Sequence, residues 1–597
     1  MEIIASIKMG ECQNSPCNYP ILKLAEFQSN LPHKALSSCL KKYKIEPVFW
    51  SVFPMKSALL LLAAILISLA WLLPIHYRPW VTYTGELYAF FALFALAACF
   101  FKAKLQIPKI SLPLLALCSV PLIQWGFGLV YFFDKALLSS VYIFSFWLAI
   151  IFGYNLTQNN SERERIFAGF SYVLLGVGSI TAFMAICQWL TLDQYLPMMV
   201  DIKIGQRPYA NFAQPNNMAT FLVMSLMACL YLYEKQKIKT VWIVIAAAMI
   251  LVGVVLSQSR TSWLASLCLL TYLGYQQYRG VMRIKWRYSL LWFAAFIGLI
   301  FIAPAFSQLL SQSADLSVQS RDVVQRATGD MSRLAIWQQM LAAIEHQPWW
   351  GYGWHQTSVA YVTISEFVQG PVWIRSAHNF ILDFLLWNGV ILGVPFLAYL
   401  GYWGYQLHKY TQSVESVVGI LMLGAFSVHA MLEFPQNYAY FLLPVGFIIG
   451  MVQSQRVFKS FTLSANYLRS TFVIGALLLM LIYRDYEVMV PKLNQSVRYE
   501  QTPEKITHQE RIFVLEEFNR RIAWIRLNPY SLQTPEQLQD IHEIVLNYPT
   551  RYDLLKYARV LAFNGYEAEA KKQLWLLSTL WQVNVDYTTL LDEAASR

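Results

Sequence analysis

Charged residues are scarce in this chain. Lys, Arg, Asp and Glu make up 14% of its 597 residues, whereas soluble domains carry about 25%. Hydrophobic residues account for 57% and aromatic residues for 15%, and the apolar residues fall in runs long enough to cross roughly 30 Å of hydrocarbon. This composition excludes an ordinary soluble enzyme and predicts an all-α, polytopic membrane helix bundle.

Cysteines are also few, and none has the spacing of metal ligands. Three of the eight lie in the first forty residues and five lie inside apolar runs. The long polar loops contain none, and they lack an acidic cluster that would bind a metal ion. We therefore expect neither a disulfide framework nor a zinc site, and a reaction without a cofactor. The cysteines are Cys12, Cys17, Cys39, Cys99, Cys118, Cys187, Cys229 and Cys268.

The first long apolar run lacks the features of a cleavable signal peptide. Residues 1–54 are polar and irregular, and the run begins directly after Met55 and Lys56. It is too long for a signal-peptide core and has no clear small-residue cleavage site, so we expect a retained first membrane helix. Residues 1–54 are then an N-terminal extension that is either cytoplasmic or dispensable.

About thirteen apolar runs are candidate membrane spans. They divide the chain into helices 1–9 over residues 55–307, a loop over 308–378, helices 10–13 over 379–483 and a helical domain over 484–597. The predicted spans are 57–75, 86–101, 111–131, 136–155, 167–190, 217–233, 239–257, 261–278, 289–307, 379–403, 415–433, 437–453 and 470–483.

The net charge of +11 is mainly a topology signal, because the Lys and Arg residues sit in alternate loops. Cytoplasmic loops of membrane proteins carry the excess of positive charge. This rule places the N-terminus inside, and it places the loop 308–378 and the tail from residue 484 outside. Nucleic-acid binding thereby loses its main support. The last span is short, and without it the tail would be cytoplasmic.

The tail has a helical, soluble character. Apolar residues recur at helical spacing from Arg551 to Gln582, on both sides of Asn564-Gly565. This pattern is similar to one helical hairpin of a tetratricopeptide repeat. One such unit cannot form a solenoid, so packing or docking of a partner is favoured over catalysis.

Four polar segments at the outward face are not explained by topology. Each has an ordinary explanation: a helix cap for Gln214 and Asn216, an interfacial Arg260, a hydrogen-bonded His378, or an interfacial Tyr438. Together they offer cations, amides, a proton acceptor and a hydroxyl near the headgroup layer, which suits a lipid-linked pyrophosphate. The segments are RPYANFAQPNN (207–217), SQSRTSW (257–263), IRSAHNFILDF (374–384) and MLEFPQNYAYF (431–441).

Three motifs lie in the stretches 332–356 and 377–397: an Arg-x-x-x-Trp helix, a Pro-x-x-Gly-x-Gly turn and a His-Asn pair that opens a membrane helix. In this combination they resemble the shared core of the O-antigen ligase and polymerase superfamily of bacterial envelopes. The residues that carry the resemblance are Arg333, Trp337, Pro348, Gly351, Gly353, His378 and Asn379.

Two further passages narrow the resemblance to the PglL-type protein O-oligosaccharyltransferases of that superfamily. They are NFAQPNNMAT (211–220) and LEFPQNYAYFLLPVGFIIG (432–450), and the helical tail also matches that branch. The resemblance covers about residues 55–597. One departure is visible, because the branch often has His where this chain has Asn217.

The resemblance implies en bloc transfer of a glycan from undecaprenyl pyrophosphate to Ser or Thr hydroxyls of exported or pilin-like proteins. The reaction would take place at the outer, periplasmic face of the bacterial inner membrane. Arg260, with Arg207 or Arg333, would neutralise the pyrophosphate. His378 would either accept the proton of the hydroxyl or hydrogen-bond to the diphosphate. The implied catalytic residues are His378, Arg260, Gln214 and Tyr438, and the implied substrate-binding residues are Arg207, Asn216, Arg333, Arg375, Asn379 and Glu433.

Other functions stay open from the sequence. An O-antigen ligase would transfer polysaccharide to lipid A-core, and a polymerase would extend the glycan itself. A lipid-linked glycan transporter predicts charges at mid-depth and symmetric halves, whereas Asp383 is the clearest charge inside a span and no internal repeat is visible. A non-catalytic scaffold would use the tail to recruit a pilin-like partner.

Overall fold

The computed structural model describes residues 55–203, 206–314, 332–368, 370, 373–456 and 458–595. The chain divides into two units, Met1–Ala58 and Leu59–Arg597. Of the first unit, only the helical turn from Met55 to Ala58 is described. The predictions for the extension 1–54, and for the three cysteines in it, lie outside the described residues.

Helices dominate the membrane part, because a backbone in lipid must satisfy its hydrogen bonds internally. Two short strands, β1 (Leu105–Pro108) and β2 (Ser460–Leu463), pair antiparallel with Leu105 opposite Leu463. The helices are α1 (Met55–Leu72), α2 (Tyr83–Ala98), α3 (Leu112–Leu117), α4 (Val120–Gly126), α5 (Phe133–Leu156), α6 (Asn160–Trp189), α7 (Pro215–Glu234), α8 (Thr240–Leu256), α9 (Arg260–Tyr278), α10 (Trp286–Ala314), α11 (Ser332–His346), α12 (Thr357–Ile364), α13 (Phe380–Lys409), α14 (Val414–Ala430), α15 (Ala439–Gln453) and α16 (Ala465–Arg498).

The predicted polytopic membrane fold is confirmed. Among the described residues, eight helical segments are long and apolar enough to cross a membrane, and four shorter apolar helices accompany them. Every predicted span overlaps a helix. The span 111–131 differs from the prediction, because it is broken into α3 and α4. Each of these short helices has a proline in its first turn, where the missing N–H is tolerated and the preceding helix ends.

The helices that carry the polar segments share one direction through the bundle. Lys235, after the end of α7, pairs with Glu415 at the start of α14 at 2.6 Å. Tyr272, near the end of α9, lies 3.2 Å from His408 Nδ1 near the end of α13. A short turn at 410–413 joins α13 to α14. The other end of the bundle therefore collects the starts of α7, α9 and α13 and the end of α14, and we call it the Glu433 end.

Helix α13 is kinked at Gly389, where the backbone has φ 63° and ψ −177°. The kink leaves backbone groups of α13 without partners inside the helix, and the predicted Pro-x-x-Gly-x-Gly turn forms hydrogen bonds with them. Tyr352 N donates to Leu386 O at 2.7 Å, and Val390 N donates to Pro348 O at 2.7 Å. The kink thus has an identifiable cause, and the turn sets the direction of the half of α13 that begins beside His378.

Helix α16 is 34 residues long and crosses the whole bundle. Near its start, Arg469 Nε donates to Phe101 O at 2.9 Å, beyond the end of α2. Farther along, Tyr486 stacks on Tyr83 at the start of α2, with ring centroids 3.6 Å apart. The predicted span 470–483 is shorter than the helix, because α16 continues with charged residues from Arg484 onward.

The tail is helical. Residues Arg551 to Gln582 form the expected hairpin, with a turn at Gly565, whose φ is +82°. Its buried core includes Trp524 and Leu577, and it is continuous with Phe132 and Val362 of the membrane part. The tail helices are α17 (Glu516–Arg526), α18 (Pro535–Asn547), α19 (Arg551–Phe563), α20 (Glu567–Trp581) and α21 (Tyr587–Ala595).

Polar contacts fix the tail to the Glu433 end. Lys135 Nζ, at the start of α5, lies 3.1 Å from Glu517 Oε1 of α17. Glu517 N donates to Asp134 Oδ2 at 3.1 Å, and Ser358 Oγ of α12 donates to Leu546 O at 2.9 Å. The tail therefore lies at the same end of the bundle as the polar segments.

Candidate functional site

Three donors from three separate segments converge on the Glu433 carboxylate. Asn216 Nδ2, in the first turn of α7, donates to Oε1 at 3.0 Å. Arg333, at the start of α11, forms a salt bridge with the same oxygen. His378 Nδ1, two residues before α13, lies 2.8 Å from Oε2. The sequence grouped these four residues as candidates, and the structure brings them together as the Glu433 cluster.

The electrostatics of Glu433 favour its charged form. Burial acts to raise the pKa of this carboxyl group, because only 5% of the residue is exposed. The hydrogen bond from His378 and the charges of His378 and Arg333 act in the opposite direction, and the net pKa lies below its ordinary value. Glu433 is therefore an ionised acceptor at neutral pH.

The backbone around His378 is held in an uncommon conformation. His378 has a φ of +51°, a region that costs energy for a residue with a side chain and is frequent at functional sites. Asp383, one turn into α13, accepts Ser376 Oγ at 2.6 Å and Ala377 N at 2.8 Å, and Trp337 Nε1 donates to Ala377 O at 3.0 Å. These bonds direct Nδ1 to Glu433, so Nε2 is the nitrogen that can meet a substrate.

An aromatic group borders the cluster. Tyr438 stacks on Tyr440 with centroids 5.3 Å apart, and Asn217 Nδ2 donates to Tyr440 Oη at 3.4 Å. Phe434 lies between Tyr438 and the ring of His378, with centroid distances of 6.1 and 5.2 Å. Burial raises the pKa of Tyr438 far above its ordinary value, so its hydroxyl stays protonated.

Gln214, Arg207 and Arg260 lie at the Glu433 end, outside the hydrogen bonds of the cluster. Gln214 directly precedes α7, is half-buried and makes no side-chain cap bond to that helix. Arg207 donates to Gln258 O at 3.3 Å, two residues before Arg260. Arg260 is the first residue of α9 and is half-buried. Two arginines thus lie close together along this rim.

Arg375 and Asn379 make contacts outside the Glu433 cluster. Asn379 caps α13, and its Oδ1 accepts Ile381 N at 3.0 Å and Leu382 N at 3.2 Å. The guanidinium of Arg375 lies over Tyr548 of the tail, 4.4 Å from the ring centroid. Neither side chain joins the Glu433 cluster.

Sequence reasoning missed Glu86, which borders the aromatic group. Its Oε2 accepts Ala439 N, next to Tyr438, at 2.5 Å. The available signal was a lone carboxylate inside the apolar run of α2, since such residues are rare and informative in membrane helices. Among the described residues no three His, Cys, Asp or Glu side chains come together as metal ligands.

An apolar cavity of about 450 Å³ lies among α7, α8, α9 and α10. Its lining reaches from the middle of α7 to the start of α10 and is formed by aliphatic and aromatic side chains. They include Leu226, Leu230, Ala247, Leu251, Leu269 and Phe296. The cavity therefore suits an apolar chain.

Three family descriptions match successive parts of the chain. Residues 245–397 match O-antigen ligase, residues 417–582 match the C-terminal part of a virulence factor membrane-bound polymerase, and residues 208–233 match protein glycosylation ligase. The chain is 41% identical over 548 residues to a general O-oligosaccharyltransferase of Acinetobacter baylyi, covering 92% of this chain and 96% of the relative. It is 27% identical over 481 residues to a ComP-specific O-oligosaccharyltransferase of the same organism, covering 79% of this chain and 85% of that relative.

Proposed function

Since the chain belongs to the O-oligosaccharyltransferase family, we propose that the Glu433 cluster and its rim are its transfer site. The enzyme glycosylates proteins through O-linkages, using a lipid-linked glycan donor and a protein acceptor. In the proposal, the donor is an undecaprenyl-pyrophosphate-linked glycan. The acceptors are Ser or Thr hydroxyls of exported proteins, pilin-like proteins among them.

The pairing of His378 with Glu433 is the observation that carries this proposal. An ionised carboxylate on Nδ1 fixes the tautomer that leaves a lone pair on Nε2, which is the arrangement of a general base. In the step, the acceptor Oγ forms a bond to the anomeric carbon of the first sugar while the bond from that carbon to the diphosphate oxygen breaks. The hydroxyl proton passes to His378 Nε2, and the electron pair leaves with the diphosphate.

In the proposal, the arginine rim, formed by Arg207 and Arg260, binds the diphosphate. Arg260, with Arg207 or Arg333, is the candidate for neutralising the leaving group, because a guanidinium pairs with phosphate oxygens through parallel donors. The starts of α7, α9 and α13 also lie at the Glu433 end, and helix N-termini favour anions. Gln214, between this rim and Asn216, would position the donor or the acceptor, and the Tyr438 hydroxyl would do so on the other side.

The apolar cavity supports a lipid-linked donor. It is bounded by α7, which begins at Pro215, and by α9, which begins at Arg260. Its lining runs from the middle of α7 and α9 toward their ends, so a polyprenyl tail that occupies it extends through the bilayer away from a diphosphate at the starts of these helices. A headgroup site above an apolar groove is the geometry that an amphiphilic donor requires.

The orientation and acceptor range belong to the same proposal. Among the short loops, those at the end of the bundle opposite Glu433 carry sixteen Lys and Arg residues and those at the Glu433 end carry five, so the positive-inside rule directs the Glu433 end to the periplasm of the inner membrane. The higher identity to the relative named a general enzyme than to the one named ComP-specific, 41% against 27%, favours a broad acceptor range.

Substitution of His378 tests the proposal. In cells that lack the chromosomal gene, His378→Ala should lower glycopeptide yield by about 10²-fold or more, the usual contribution of a general base. His378→Gln keeps hydrogen bonding but accepts no proton, and it should be nearly as inactive. Glycopeptide mass spectrometry gives the yield, and immunoblotting shows that the variants accumulate. His346→Ala, an exposed histidine at the end of α11, is the matched control.

Normal transfer by His378→Ala would show that His378 is not the general base. Full activity of His378→Gln would show that His378 acts only through hydrogen bonding. Deletion of the gene separates the rival acceptors. Loss of glycoproteins with unchanged lipopolysaccharide supports a protein acceptor, whereas loss of long lipopolysaccharide chains with intact glycoproteins indicates an O-antigen ligase.

A further inference from the structure

Glu86 is a buried carboxylate in the first part of α2, with 2% of the residue exposed. The transfer step described above does not use it. It lies in a helix of otherwise apolar residues, where an ionisable group is expensive to place and usually has a specific partner. Its surroundings identify that partner.

The partner is the start of α15. Glu86 Oε2 accepts Ala439 N at 2.5 Å and Tyr142 Oη at 2.9 Å. Ala439 is the first residue of α15, and the first amides of a helix have no acceptor within that helix. A carboxylate is the preferred charge at this position of the helix dipole. Glu86 therefore caps α15 from a different helix.

The cap lies directly behind the aromatic border of the site. Ala439 follows Tyr438, whose ring stacks on Tyr440. Tyr440 is held a second time, because Trp71 Nε1 donates to its carbonyl oxygen at 2.9 Å. Glu433 lies only a few residues before Ala439, in the connection between α14 and α15. The position of that connection thus depends on where α15 begins.

We propose that Glu86 is a positioning residue for the transfer reaction: by holding Ala439 N it fixes the connection that carries Tyr438 and Glu433. This role rests on the proposed function of the Glu433 cluster. Glu86 acts through its bond to the backbone N–H of Ala439, so it should affect turnover of bound substrates more than their binding.

Four single variants and one double variant of the full-length enzyme in lipid nanodiscs test the role. Glu86→Ala removes the acceptor, whereas Glu86→Gln retains an amide oxygen that can accept Ala439 N. Ala439→Pro removes the donor from the other side, and proline is favoured in the first turn of a helix. Tyr438 has φ −114° and ψ 118°, which suits a residue before proline. Glu415→Ala is the control, since Glu415 is also buried and bonded to a tyrosine, at the opposite end.

We expect Glu86→Ala and Ala439→Pro each to lower kcat by about tenfold, with KM for an undecaprenyl-pyrophosphate-linked oligosaccharide within about twofold. Glu86→Gln should keep kcat within about threefold. Glu86→Ala and Ala439→Pro break the same hydrogen bond. The kcat of the double variant Glu86→Ala/Ala439→Pro should therefore be no lower than that of the less active single variant. Glu415→Ala should lower thermal stability and leave kcat per folded enzyme unchanged.

Wild-type kcat in Glu86→Ala would overturn the inference, and so would equal losses in Glu86→Gln and Glu86→Ala at unchanged melting temperature. If Glu86→Ala does not accumulate, Ala439→Pro and Glu86→Gln decide the question. His378→Ala, assayed in parallel, separates the two proposals. An inactive His378→Ala beside a fully active Glu86→Ala refutes only the positioning role, whereas an active His378→Ala refutes the proposed transfer site.

Discussion

The Glu433 carboxylate accepts a hydrogen bond from an amide and faces two basic side chains. This arrangement determines how Glu433 responds to a fall in pH. Its pKa is lowered in the folded protein, so the unfolded chain binds the proton more tightly. The stabilisation it provides is complete above the ordinary value of about 4.3 and is lost as the pH falls through the lower, folded value.

Glu433→Gln should therefore unfold at a lower temperature than the wild type at pH 7, because the charge that balances Arg333 is gone and His378 Nδ1 loses its carboxylate acceptor. The difference in melting temperature should persist down to about pH 5 and narrow below about pH 4.5. Thermal unfolding of both proteins in the same detergent, followed by intrinsic fluorescence across this range, measures it. A difference that widened below pH 4.5 would contradict the lowered pKa.

The sequence singled out candidate residues that the structure brings together, but it could not show which side chains bond to each other. Asn216, Arg333, His378 and Glu433 form one cluster as expected from their positions. Asn379 caps a helix, and from sequence alone an asparagine at a helix start gives the same signal for a cap as for a ligand. The salt bridge between residues 100 positions apart in the chain depends on tertiary packing, which no local pattern contains.

At the scale of elements, the kink in α13 is the feature that a substitution would disturb most. A Cβ added at Gly389 would lie 2.1 Å from Trp349 O, and the φ of +63° is unfavourable for a side chain. We expect Gly389→Ala to displace the first half of α13 or the turn before it. Transfer should fall by about tenfold or more, and thermal stability should fall with about 1–3 kcal/mol of strain.

A second glycine of α13 provides the comparison. A Cβ at Gly401 would meet no atom within 4 Å, so Gly401→Ala should be neutral or slightly stabilising, since alanine is the better helix former. Melting temperature and glycopeptide yield are measured for both variants. Equal behaviour of the two would mean that the contact between the turn and the kink does not constrain α13.

The positions of the membrane helices could be predicted from hydropathy, whereas kinks and breaks within the helices could not. The apolar run 379–403 predicted a helix, and the kink at Gly389 lies within it. A glycine in an apolar run is compatible with a straight helix as well as a bend, and only the distant turn at Pro348 decides between them. For α16, hydropathy located the membrane-crossing part but could not show that the helix continues beyond it.

At the scale of the whole molecule, the tail is attached close to the proposed transfer site. Lys135 and Glu517 are mostly buried, with 18% and 10% of their side chains exposed. Lys135→Ala removes that pair and the bond to Asn547, leaving a buried carboxylate without its cation. We expect faster amide hydrogen exchange in residues 516–595 and a several-fold loss of transfer, because Arg375, three residues before His378, lies against Tyr548 of the tail.

Lys572 offers a matched control in the same interface. It pairs with Glu366 at 2.5 Å, but the side chains are 55% and 43% exposed, and exposed pairs contribute about 0–1 kcal/mol. Lys572→Ala should leave exchange in the tail and transfer unchanged. If Lys135→Ala also leaves both unchanged, the buried pair does not hold the tail in place.

The overall architecture was predictable only in outline. Composition established a polytopic membrane bundle, and loop charge grouped the polar segments at one face. The shared direction of α7, α9 and α13 follows from the same topology, whereas contacts such as that between Tyr272 and His408 could not be predicted, because helix neighbours are set by packing and not by order along the chain.

Glu433 also has a consequence for turnover. A carboxylate built into the site partly cancels the attraction of Arg333 and His378 for any other anion. In the proposed transfer site, a diphosphate left behind after glycan transfer would be held mainly by the outer arginines, and the spent carrier could return to the bilayer. An internal anion of this kind would keep the enzyme from being trapped by its own product.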